Sequence, residues 1–177
     1  MTSETRGRSA APDVPEPPRT STGVVLCGAC RRVGACNLGV EREHLDDDGV
    51  LRFVVTCGPD HEGGTNVAHG GWTAAVLDDC LGHLPLQHGV LSVTAELTVT
   101  FVKPVPVGRP LEITARVDRR EGSRWYITGE MTLLPAGATL ARAHGVWVTR
   151  DGGHFERHER WLAEQDSAGP GSPPATQ

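Results

Sequence analysis

A chain of 177 residues with 38% hydrophobic content is long enough for one domain with a real core and too short for two comfortable ones. Its net charge of −5, with arginines scattered along the chain, excludes a general binder of phosphate backbones, so no nucleic-acid partner is expected. No apolar run approaches the ~18–20 residues of a spanning helix and the opening residues lack an apolar secretory stretch, so the expectation is a soluble, cytoplasmic protein without a membrane partner.

Residues 1–22 are rich in Pro, Ser, Thr and charge and are expected to form a disordered leading tail; residues 166–177 have the same character. The domain between them is placed at 23–165. It opens on Cys27-Gly-Ala-Cys30 and Cys36. Five cysteines in a chain without an export signal argue for reduced thiols over a disulfide framework. Three of them could serve zinc, but a closed site wants a fourth ligand, and only the distant His44, Cys57 or His61 could supply it. Ordinary packing is the preferred reading, with neither metal nor cofactor expected.

Leu38–His44 and Val50–Thr56 flank Asp46-Asp47-Asp48-Gly49 and read as a hairpin. Residues 57–68, with Gly58-Pro59 and Gly63-Gly64, read as a flexible loop into a helix from His69 to about His83, with Gly82 suited to its end. Ser92–Val102 alternates with period two and is the clearest strand of the chain. Further strands are expected from Leu111 to Asp118, Arg124 to Leu133 and Thr139 to Thr149, then a short helix from His154 to Glu164. About six strands wrapped on one long helix make an α+β fold.

Chemistry concentrates in Asn66-Val-Ala-His69-Gly70-Gly71-Trp72 and the helix that follows. Paired glycines at a helix entrance let another molecule reach free backbone N–H groups at the positive end of the dipole, which suits an anion or an oxyanion. The helix is apolar around most of its circumference, yet carries Asp78 and Asp79, a residue type rarely buried without a partner or a function. The two lie about 100° apart around the axis, so both are not expected to face the same thioester.

Asn66-Val-Ala-His69-Gly70-Gly71, the acid Asp78 nine residues after the His, and Val93-Thr94-Ala95-Glu96-Leu97-Thr98-Val99-Thr100-Phe101-Val102-Lys103-Pro104 with Gly108 arrive in one order and spacing. Over residues 38–149 the chain resembles the hotdog-fold acyl-CoA thioesterases, phenylacetyl-CoA thioesterase branch. The resemblance implies an antiparallel sheet wrapped on the helix, and subunits paired as a homodimer, commonly a dimer of dimers, with active sites across the interface. It implies that Gly70 gives the oxyanion N–H, that His69 orients the loop, and that Asp78 acts as general base or nucleophile from the partner subunit. Thr94 stands where relatives carry a hydroxyl that holds the attacking water. Gly71, Trp72, Asn66 and Asp79 are candidate substrate contacts, with Trp72 also a candidate for the core and Asp79 for an ion pair. Where some relatives place an Asn or Gln six residues before the His, this chain has Gly63, leaving Asn66 as the nearby amide. Members also often carry a Cys-x-x-Cys near the N-terminus, which favours packing for Cys27 and Cys30.

The implied substrate is an acyl-CoA or acyl-carrier-protein thioester, with Arg119, Arg120, Arg124 or Arg142 available for the phosphates of CoA. The alternative is a non-catalytic hotdog protein that binds acyl thioesters or scaffolds a complex. A hotdog hydratase fits less well, because His69 sits in a loop-orienting Gly-Gly context.

Overall fold

The computed structural model describes residues 17–168. Of the two expected tails, residues 1–16 and 169–177 lie outside the described residues. Inside them, Arg19 pairs with Val25 as an isolated bridge, and the last helix runs to Ala168, past the expected boundary at 166.

The elements in chain order are α1 (Gly28–Arg31), β1 (Val40–Leu45), β2 (Leu51–Thr56), a 3-10 turn (Pro59–His61), β3 (Glu62–Gly64), β4 (Val67–Ala68), α2 (Gly70–Gln87), β5 (Ser92–Phe101), β6 (Pro110–Glu121), β7 (Arg124–Leu133), β8 (Ala138–Thr149) and α3 (His154–Ala168). Six strands form one antiparallel sheet in the order β1-β2-β6-β7-β8-β5, with β3 and β4 a separate small pair. The sheet wraps α2, which is the expected hotdog arrangement.

The alternation seen in the sequence sets the faces. Leu111, Ile113 and Ala115 of β6 point inward with Ile127 and Met131 of β7 and Ala141 and Ala143 of β8, all buried. They pair across the ladder as Ile113↔Met131↔Ala141 and Ala115↔Gly129↔Ala143. Onto this face α2 lays Val76, Leu77, Leu81 and Leu84, each with no exposed surface. Fully burying one such side chain is worth about 1.5–3 kcal/mol.

The helix sits close because small residues line its bed. A methyl group on Gly129 would stand 2.5 Å from Leu81 Cδ1 and 2.8 Å from the Thr114 carbonyl oxygen. Gly82 is another such position, where an added Cβ would lie 3.0 Å from the Trp147 indole nitrogen. This corrects the expectation that Gly82 ends the helix: it clears the indole, and α2 continues to Gln87.

The segment from 57 to 68 is also not the free loop its glycines suggest. Gly108 N–H donates to the Cys57 carbonyl at 2.9 Å, Ala68 N–H to Val105 at 2.8 Å and His69 N–H to His61 at 2.8 Å. Those bonds fix the direction in which the chain enters α2.

Substituting Gly129→Ala is expected to cost about 1–3 kcal/mol, the range for overpacking a filled interior, because a backbone carbonyl cannot step aside. A urea unfolding midpoint equal to that of the wild type would contradict this account of the helix seat.

Candidate active site

His69 caps α2: its Nδ1 accepts from the Gly71 N–H at 2.9 Å, and its own carbonyl accepts from Thr73 N–H. The cap uses the Gly71 N–H, so Gly71 has no donor left for a substrate. The Gly70 N–H, at the first helical position, has no carbonyl one turn back inside the helix. Gly70 is exposed and lines a cavity of about 330 Å³ with Thr73, Phe101 and Val105.

Two turns further along, Asp78 accepts a hydrogen bond from Thr94 Oγ1 at 2.8 Å, which ties the helix to β5. Both residues line a larger cavity, about 520 Å³, whose other walls include Asp79, His83 and Trp147. At 1.5 Å per residue, Gly70 and Asp78 are separated along the axis by roughly 12 Å. One chain therefore cannot present both groups to one carbonyl.

Asp79 turns away from Thr94, as the helical rotation requires. Its Oδ2 lies 3.6 Å from His83 Nε2, one turn on, and His83 Nδ1 lies 3.0 Å from Glu43 Oε2. Glu43 is buried and also accepts from the Val25 N–H at 2.8 Å and from the Gln87 amide. Burial pushes Asp79 above the ordinary carboxylate range, and the charges of Asp78 and Glu43 push the same way against the pull of His83. Burial acts on Glu43 too, but the bonds from His83, Val25 and Gln87 outweigh it and hold that carboxyl below its usual value. Sequence reasoning missed Glu43 and His83. The signal for His83 was its place four residues after Asp79.

The structure separates the other candidates from the two cavities. Trp72 is 4% exposed and packs in the core, its indole N–H donating to the Leu38 carbonyl, and it lines neither cavity. A bulky apolar ring on the sheet side of α2 has nowhere else to go. Asn66 sits at positive φ between β3 and β4, bonded through its N–H to Glu62, and lines neither cavity. A Cβ at Gly63 would stand 2.7 Å from His69 Cα, so no amide side chain fits there. Arg119 lies over Tyr126 and pairs with Glu121, Arg120 lies over Trp125, and Arg142 pairs with Glu130. All five cysteines are free thiols, and among the described residues no group of three or more Cys, His, Asp or Glu converges as a metal site. Nor is any described helix long and apolar enough to cross a membrane.

Residues 65–135, from the approach to α2 through the end of β7, match the family model of the thioesterase superfamily. Over that segment the chain is similar to the thioesterase superfamily, and its sheet wrapped on α2 is a hotdog fold. Acyl-coenzyme A thioesterase THEM4 of Bos taurus is 27% identical over 94 residues, 53% of this chain and 38% of that protein. This chain thus spans well under half of that relative. The solved PaaI protein from the phenylacetic acid degradation operon of E. coli has a TM-score of 0.58 at 22% identity, covering 68% of this chain and 87% of its own, which speaks to the fold. A Bacillus halodurans protein solved with CoA is 26% identical with a TM-score of 0.55, covering 63% of this chain and 74% of its own. The matched segment contains Gly70, Asp78, Asp79 and Thr94, while Glu43 lies outside it.

Glu43→Ala is expected to cost about 3–5 kcal/mol at neutral pH, the range for breaking a buried pair. Because the folded carboxyl titrates below the ordinary 4.5, its contribution is complete above that value and fades as pH falls through the lower native one. Urea midpoints of wild type and variant should therefore converge in acid. A gap that is unchanged between neutral and strongly acidic pH would contradict the assignment.

Proposed function

We propose that this hotdog domain hydrolyses an acyl-CoA or acyl-carrier-protein thioester, with Asp78 as the acid–base or nucleophilic carboxylate and Gly70 as the oxyanion donor. The observation that carries the reading is the Thr94–Asp78 hydrogen bond at 2.8 Å inside a cavity large enough for an acyl group. Thr94 spends its hydroxyl proton on Asp78, so its oxygen still accepts. A water between the two gives one proton toward the carboxylate, and its other O–H points to Thr94 Oγ1. Its oxygen is then aimed at the thioester carbon. Charge developing on the carbonyl oxygen is met by a backbone N–H at the positive end of α2.

The roughly 12 Å between the two groups along one helix supports a site assembled from Asp78 of one subunit and Gly70 of the other. This reading includes a homodimer or a dimer of dimers in the cytoplasm. The acyl groups that fit are small, medium-chain or aromatic. The missing amide at Gly63 favours the second reading, a domain that binds acyl thioesters without cleaving them.

Free-thiol release from a panel of acyl-CoAs separates the two. Turnover is expected in the wild type, with Asp78→Asn lowering kcat by about 10²–10⁴-fold. Gly70→Pro removes the N–H at a position where proline fits a helix, and is expected to lower kcat by about 10²–10³-fold. Saturable binding with no thiol release from any thioester would overturn the hydrolase reading in favour of the binder.

A further inference from the structure

Resting on that hydrolase reading, we propose that Asp79 is a second acid of the same site, donating the proton that the departing thiolate takes up, with His83 and Glu43 as its positioning residues. Asp78 and Asp79 are consecutive residues of α2 and, against the expectation from their 100° separation, both line one cavity, so a thioester held against Asp78 brings its sulfur within range of the neighbouring carboxyl. With Oδ2 turned to His83 at 3.6 Å, Oδ1 is the atom left for the substrate. Glu43 holds the far side of the imidazole at 3.0 Å, and both His83 and Glu43 are almost wholly buried. Three titratable groups in file from the interior to a cavity wall are costly to bury.

The step balances. As the water oxygen bonds to the thioester carbon, one water proton passes to Asp78. The C–S bond then breaks with its electron pair on sulfur, and the Asp79 O–H proton goes to that sulfur. Asp79 recovers a proton from Asp78 through solvent in the cavity, leaving one acid and one thiol per water consumed. The charged and titratable groups around Asp79 are Asp78, Cys80 and His83 on α2, Glu43 on β1, Arg31 on α1 and Cys27 just before it. Burial together with its two carboxylate neighbours keeps Asp79 protonated to a higher pH than an ordinary aspartate.

The test uses one acyl group on two leaving thiols: CoA, whose alkyl thiolate needs a proton, and 5-thio-2-nitrobenzoate, which leaves as the anion. Asp79→Asn should lower kcat by about 10²-fold or more on the CoA ester, within the usual range for a general acid, and only a few-fold on the aryl ester. Asp78→Asn should lower both. On the CoA ester kcat should fall as pH rises through the titration of Asp79, and His83→Gln, which removes the partner that favours ionised Asp79, should move that fall to higher pH. A thermal melt of each variant confirms the fold. Equal defects of Asp79→Asn on the two esters, or none, overturn the inference alone. A wild type that cleaves neither ester overturns the hydrolase reading and this inference with it.

Discussion

Everything in this domain depends on how closely α2 can lie on the sheet. Leu81 occupies the space that a side chain at Gly129 would need, and Gly82 clears the Trp147 indole on the opposite strand. Interiors packed at crystal density hold their elements in one place, so that seat fixes both the height and the rotation of the helix. The height sets where the Gly70 N–H and the Asp78 carboxylate stand. The rotation sends Asp78 toward Thr94 on β5 and Asp79 toward His83, and through it to Glu43 on β1.

The apolar seat and the polar chain along its flank make different contributions. Hydrophobic burial at Leu77, Leu81 and Leu84 supplies stability without direction. The Glu43–His83–Asp79 chain supplies direction at a cost, since taking charges out of water is offset only when every lone pair and proton is matched. Glu43 meets that condition with donors from His83, Val25 and Gln87. Asp79, facing a cavity with a like charge beside it, meets it only partly, and its raised titration is the result. An interior that satisfies one carboxyl fully and its neighbour incompletely separates their proton affinities.

Much of this was legible in the sequence. Period-two alternation found the central strands, and β5 through β8 fall where the pattern places them. The glycine pair after His69 marked the helix entrance, and the family resemblance, not any spacing, named Thr94 beside Asp78, where a hydrogen bond now joins the two. Glu43 was not legible for a specific reason. The ladder between β1 and β2 slips between Val40 and Arg42, so strict alternation assigns the wrong face from there on, and the slip turns Glu43 inward. Asn66 and Gly63 show the other limit. A turn at positive φ and a Cβ clash against His69 are properties of the folded backbone, which a list of amides near a histidine does not encode.

The central claim is that one helix carries both halves of a site it cannot complete alone. β5, which carries Thr94, is an edge strand of the sheet, and Phe101 at its end is 57% exposed beside the Gly70 cavity. A second copy brought to that edge would join the Gly70 end of one helix to the Asp78 turn of the other. Subunit mixing tests this directly. Chains carrying Asp78→Asn and chains carrying Gly70→Pro, each inactive alone, are unfolded together, refolded and assayed for thiol release. In a symmetric dimer, random reassociation leaves one intact site in each heterodimer, so the account predicts recovery to about a quarter of wild-type activity. A refolded dimeric mixture as inactive as its parents would contradict it.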